Sequence, residues 1–365
     1  MKPHKLALLL SLNLSVITAS AFASEATNAN TAFSQAYQNY LSAVDTNENI
    51  QQAAKLAYSL GAKVYGDNAD NTANLAINYA KAISGFNQED EAKRYELYKQ
   101  AYNILANNHG ESSVETIDAL LGMASNTKSA RQADSQLERI VDIAKELKKP
   151  RFVADMQFAA ASLLVKKFVP EKYRSAKHYA EEADEYYQAN LPENAVERIK
   201  SDFLMASFDE GRKKYDSAIT RLNRIVTVFD NNLSYDHSAE LSAHSKLIAL
   251  YEKQGESEQA TKHCLAIAKM VPWEESQEQT PLYRVNPDYP MGKARQGKDG
   301  SVVMEFEVDT AGFVKNVSVL DSNGGVTFEH SAKKAVEQWR YAPKFEDGIP
   351  VTAKTQVRLD FKINR

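Results

Sequence analysis

Between Ser24 and about residue 272, apolar side chains recur every three or four positions. Leu137, Ile140, Val141, Ala144 and Leu147 form one such stripe. That spacing places them on one face of a helix, which must be buried against a neighbour. Pro150, Pro170, Pro192 and Pro272 fall between the helical stretches, where proline starts or stops a helix. Ala92, Ala133, Ala176, Ala218 and Ala260 recur at intervals of 41, 43, 42 and 42 residues, each early in a predicted helix. Leu120, Leu163, Met205 and Leu247 precede the last four alanines by 13 residues each. Two linkers echo each other: Tyr65-Gly66 with Thr72 and Leu75, and His109-Gly110 with Thr116 and Leu120. Small residues at fixed intervals let helices approach closely, and large apolar residues fill the remaining space. The pattern predicts a stack of helical pairs.

The last unit is the sharpest. Leu247, Tyr251, Gly255, Ala260 and Pro272 stand at the spacings of a tetratricopeptide (TPR) repeat, so the region resembles that family in a form of about 42 residues. His244, Ile248 and Cys264 stand where the family often has Trp, Gly and Phe. The resemblance implies an α-α solenoid that binds an unknown peptide or protein along its surface, the alternative being a spacer.

After residue 280 the period changes to two. Val302, Met304, Phe306 and Val308 alternate with Ser301, Val303, Glu305, Glu307 and Asp309, a strand with one buried face. Asp309-Thr310-Ala311-Gly312 turns the chain into a second strand, Phe313 to Leu320, which ends at Asp321-Ser322-Asn323-Gly324-Gly325. Phe328, Ala332, Ala335, Val336 and Trp339 make a helical stripe. Val357, Leu359, Phe361 and Ile363 then alternate with Gln356, Arg358, Asp360 and Lys362 in a third strand. The expected fold class is therefore mainly α, a TPR-like solenoid, followed by a small α+β domain of order ββαβ with its helix on one sheet face. The expected boundaries are 24–272 for the repeats, 273–281 for a polar linker and 282–365 for the small domain. Such a linker predicts two independently folded pieces on proteolysis.

The small domain resembles the TonB C-terminal domain. The likeness rests on Asn286-Pro287-Asp288-Tyr289-Pro290, Ala294, Gly297, Gly300-Ser301-Val302 and Asp309-Thr310-Ala311-Gly312. It continues through Phe328, Ala335-Val336, Trp339-Arg340-Tyr341-Ala342-Pro343, Asp347-Gly348 and Phe361-Lys362-Ile363-Asn364. The resemblance implies that the last strand lies at a sheet edge and accepts the TonB box of an outer-membrane transporter, or a like segment of another envelope protein, as an added strand. Carried over, the pairing residues are Thr355, Gln356, Val357, Arg358, Leu359, Asp360, Phe361, Lys362 and Ile363, with the Tyr289-Pro290 loop nearby. One set of alternate N–H groups points to the open edge, and the other set bonds the neighbouring strand. Trp339 and Tyr341 read as core.

Lys2 and Lys5, the apolar run Leu6–Ile17, and Ala21-Phe22-Ala23 read as a secretory signal over residues 1–23, cleaved between Ala23 and Ser24. That predicts a periplasmic chain. The alternative is an uncleaved N-terminus in the inner membrane, as in TonB proteins that meet an ExbB/ExbD-type motor. The family resemblance leaves three functions open: a periplasmic TonB-like protein in TonB-dependent transport, an anchored energy transducer, and an envelope scaffold unrelated to uptake.

Charge and residue chemistry narrow this. The 365-residue chain has a formal net charge of −4 and no basic run, so no nucleic-acid partner is expected. Ser24–Thr280 carries 29 basic and 37 acidic residues, which points to a cationic partner for the repeats. One cysteine, Cys264, excludes an intrachain disulfide and reads as a buried thiol. Asp45, Asn47 and Asn49 start like a calcium loop, but Ile50 and Leu56 occupy the glycine and glutamate positions. His263 and Cys264 point about 100° apart on a helix, and His237 and His244 lack further ligand candidates. No nucleophile elbow, zinc-protease motif or phosphate loop is present. No catalytic residue, cofactor site or metal site is expected.

Overall fold

The computed structural model describes the backbone of residues 22–232, 237–271, 273 and 279–363, and side chains from residue 28 onward. The expected signal run, up to residue 21, lies outside these, as do residues 274–278 of the expected linker. Helix α1 (Phe22–Thr46) covers the expected Ala23/Ser24 cleavage point.

The helices follow as α2 (Ile50–Tyr65), α3 (Asp70–Ala82), α4 (Gln88–His109), α5 (Ile117–Asn126) and α6 (Ala130–Glu146). Then come α7 (Pro150–Phe168), α8 (Tyr173–Asn190), α9 (Val196–Gly211), α10 (Tyr215–Asn232), α11 (Ser238–Gln254) and α12 (Ser257–Met270). The chain divides within α8 into two compact units, one ending at Ala176 and the other beginning at Lys177.

In the first unit each helix from α1 to α7 packs on its neighbours in sequence, as short loops between antiparallel helices require. Local signals set the ends. Asn87 caps α4 by accepting from the Asp90 N–H at 2.9 Å, and Glu89, Asp90 and Glu91 complement the helix N-terminus. Pro150 opens α7. The two echoing linkers have a shared physical basis. Gly66 and Gly110 terminate α2 and α4, and the hydroxyls of the buried Thr72 and Thr116 donate to the Gly66 and Ser113 carbonyls, each at 2.7 Å. Gly122 of α5 lies so close to the Tyr98 ring of α4 that a Cβ there would stand 2.2 Å from it.

Ala133, Ala176, Ala218 and Ala260 are fully buried, as their period predicts. Ala92 departs from it and is exposed. Ala101 of the same helix, nine residues on, is buried instead.

In the second unit, α10 packs on α9 and on α11, and α11 packs on α12. Ala218, Leu222, Ile225, Leu247, Ile248, Ala260, Cys264 and Ile267 share one core. The α+β domain follows: α13 (Met291–Arg295), β1 (Gly300–Val308), β2 (Val314–Asn323), α14 (Val326–Val336), β3 (Lys344–Glu346), β4 (Ile349–Val351) and β5 (Ala353–Phe361). The three-stranded antiparallel sheet has the order β2-β1-β5. Val302, Met304, Phe306 and Val308 bury one face beneath Phe328, Ala332 and Val336 of α14. Trp339 and Tyr341 complete this core, and the Trp339 indole N–H donates to the Val285 carbonyl at 2.8 Å.

The ββαβ order holds for the main sheet. The structure adds the short α13 and a separate β3-β4 hairpin, whose three-residue strands are too brief to show a period. The last strand begins at Ala353 and ends at Phe361, two residues earlier than expected at each end.

Candidate functional site

The β1-β5 register is continuous over nine residue pairs, from Gly300 opposite Phe361 to Val308 opposite Ala353. Among the described residues no strand pairs with the other side of β5. The opposite edge, β2, is a poorer template. Its register to β1 shifts twice, each time with an extra residue on β2, and such bulges twist an edge and interrupt its row of donors and acceptors.

Three contacts reveal which backbone groups of β5 are free. Asp309 N–H donates to the Phe313 carbonyl at 2.9 Å, and the Ser318 hydroxyl reaches the Glu305 carbonyl at 3.3 Å. Odd-numbered residues of β1 therefore aim at β2. Backbone groups alternate sides along a pleated strand, so Val302, Met304, Phe306 and Val308 aim at β5. Their partners Leu359, Val357, Thr355 and Ala353 aim back at β1. The Ile363 N–H continues this parity, donating to Asp299 at 3.1 Å. Lys354, Gln356, Arg358 and Asp360 consequently direct their N–H and C=O groups to the open edge, and their side chains are exposed.

These side chains are held on the outer face. Lys354 and Gln356 both donate to Glu305, at 3.3 and 3.2 Å, and these hydrogen bonds hold the Glu305 carboxyl below its ordinary range. Arg358 pairs with Asp360 at 3.1 Å. Side chains of Val357, Leu359 and Phe361 turn inward toward the core. Lys362 and Ile363 follow the strand.

The Tyr289-Pro290 loop stands at the end of β5. The Tyr289 ring meets Phe361 and Phe328 edge-on at centroid distances of 5.8 and 5.5 Å, and its hydroxyl donates to the Lys298 carbonyl at 2.7 Å. Pro290 precedes α13 and accepts from the Lys293 and Ala294 N–H groups. At the other end of β5, a cleft of about 390 Å³ is lined by Trp273, Gln279, Lys344, Lys354 and Gln356. On the first unit, an open polar groove of about 530 Å³ follows Lys93, Glu96, Gln100, Asn103 and Asn107 along α4.

Among the described residues no group of three or more His, Cys, Asp or Glu side chains could hold a metal. Burial pushes the Cys264 thiol up to about 12. His237 caps α11 by accepting from the Ala239 N–H at 3.1 Å. His244 instead meets His263, Nδ1 to Nδ1, at 2.7 Å. Sequence reasoning missed that pair, and it missed a buried ionic network. Arg221 binds Asp184 and Asp202 at 2.8 and 2.9 Å, and Arg224 binds Asp202 at 2.7 Å. Burial raises the Asp202 carboxyl despite these partners. The charges come from three helices, so no local spacing announces them.

Residues 285–363 match the family described as Gram-negative bacterial TonB protein C-terminal. Protein TonB of Vibrio cholerae serotype O1 is 31% identical over 80 residues, which are 22% of this chain and 33% of that protein. Protein TonB of Salmonella typhimurium is 34% identical over 83 residues, 23% of this chain and 32% of that one. The chain thus spans about a third of the length of the curated relatives it matches. Among solved structures, the tonb2 protein from Vibrio anguillarum is 33% identical, covers 26% of this chain and 91% of that chain, and has a TM-score of 0.21. A Podosopora anserina structure with nearly identical TPR-like repeats covers 54% of this chain and 92% of its own, at 16% identity and a TM-score of 0.45. The chain carries a TonB C-terminal domain, preceded by paired helices.

Proposed function

We propose that this is a periplasmic TonB-like protein acting in TonB-dependent transport. Its C-terminal domain binds an extended, TonB-box-like segment of an outer-membrane transporter or another envelope protein by strand addition to β5. Its helical pairs hold a second protein or peptide. The observation that carries this reading is the unbroken edge of β5, with outward backbone groups at Lys354, Gln356, Arg358 and Asp360. A strand laid there exchanges hydrogen bonds with each of these residues, while its side chains are read on the two faces. The Tyr289 ring at one end of the strand and the cleft beside Lys354 at the other mark where the segment enters and leaves.

Proline at Gln356 or Arg358 removes an outward N–H without touching the ladder to β1. Alanine at the same positions keeps the donor. In calorimetric titration with a TonB-box peptide, Arg358→Pro is expected to lose binding while folded by circular dichroism, and Arg358→Ala to retain it within a few-fold. Normal binding by both folded proline variants would exclude strand addition at β5.

A further inference from the structure

A repeat array ends in a pair whose outer face has no successor, and such a face must be capped to stay soluble and folded. Here the face of α11 and α12 is covered by the α+β domain. Leu282, Tyr283 and Ala342 pack on the core formed by Leu247, Ile248, Cys264 and Ile267. Gly312 in the β1-β2 turn lies so near Cys264 that a Cβ on it would stand 3.5 Å from the Cys264 Cβ.

At the centre of this contact is Arg340, 1% exposed. Its guanidinium donates to Glu252 of α11 and, at 2.7 Å, to the Thr261 hydroxyl of α12. It also donates to the Ala311 carbonyl of its own domain at 2.8 Å and lies 3.8 Å above the Phe313 ring centroid. The partners are themselves held. Ser257 donates to the second Glu252 oxygen at 2.8 Å, and Thr261 donates to the Ser257 carbonyl at 2.9 Å. The Arg340 backbone is fixed as well, its N–H donating to Tyr283 at 3.0 Å and its carbonyl accepting from Leu282 at 2.7 Å. A buried arginine with so many directed partners specifies one docking geometry, because any displacement leaves a charge unpaired away from water.

We propose that the TonB-like domain is the cap of the helical array, latched by Arg340 to Glu252 and Thr261, so that α11, α12 and the domain open and close as one cooperative body. The domain therefore has a second role besides partner binding, and it is not a freely tethered module. This does not depend on what binds β5.

Linkage makes the test reciprocal. In the full chain, Glu252→Gln alters a helix and leaves every residue of the α+β domain unchanged. Hydrogen exchange by mass spectrometry is expected to rise roughly a hundredfold in α12 and, equally, in the Asp309–Phe313 turn. Thr261→Val is a milder second variant that should loosen the same two segments, in case Glu252→Gln unfolds the pair outright. A protease site placed in residues 274–278 gives an independent reading. After cleavage the wild-type pieces should co-elute in gel filtration, and the Arg340→Met pieces should separate. Faster exchange confined to the helices in both variants, or wild-type pieces that separate on cleavage, would overturn the latch.

Discussion

At the scale of single residues, His244 and His263 form a buried contact that the fold builds from two helices. Their Nδ1 atoms lie 2.7 Å apart, and the His263 ring stacks on Tyr251 at 5.6 Å. Burial, then the neighbouring His244 and Lys262, push His263 down to about 4, and burial lowers His244 as well, against the opposing pull of Asp230. In the unfolded chain both histidines take a proton near pH 6.5. Between about pH 6.5 and 4 the unfolded state therefore binds more protons than the folded one, and stability falls as pH falls through that window. A loss on the order of 2–3 kcal/mol is expected between pH 7 and 4. Urea unfolding at several pH values should give it, and His263→Gln should flatten the slope. A slope of opposite sign would mean that the pair is charged in the fold. The sequence shows both histidines but not their contact, since 19 residues and a helix turn separate them.

At the scale of elements, the alanine period was legible because close helix contact tolerates no larger side chain, whatever the neighbours are. Its failure at Ala92, which is exposed, gives a matched control. Ala218→Leu is expected to cost about 1–3 kcal/mol by overpacking the second unit. Ala92→Leu, on an exposed helix face, should change stability by less than about 0.5 kcal/mol. Thermal unfolding of the two variants separates these outcomes, and equal effects would mean the packing assigned to Ala218 is wrong. The strands were equally readable from their alternation, and the small β3-β4 hairpin was not. An edge is different in kind. That β5 lies outermost depends on which strands β1 accepts, and that its even-numbered residues face outward depends on the register to β1. Neither is a property of residues 353–361 alone.

At the scale of the whole molecule, the expected signal over residues 1–23 carries a prediction about where the chain works. The small residues Ala21 and Ala23 predict a mature terminus at Ser24, and mass spectrometry of the periplasmic fraction is expected to detect it. Full-length chain recovered only from inner membranes would instead favour the anchored transducer. Among the described residues, no helix is long and apolar enough to cross a membrane.

Periodicity and short motifs along the chain specify paired helices with small residues at their contacts, an α+β domain after residue 280, and the TonB-like character of that domain. Those signals are local because hydrophobic burial selects a period of 3.6 or 2 wherever an element has one buried face. Tertiary structure alone decided which charges meet. Arg340 stands between Trp339 and Tyr341 in a motif that reads as core, and nothing near it in sequence points to Glu252, 88 residues away. Asp184, Asp202 and Arg221 are likewise unremarkable until three helices bring them within hydrogen-bond distance. A buried ion pair is specified by the geometry of the elements that enclose it, and that geometry exists only once they have packed.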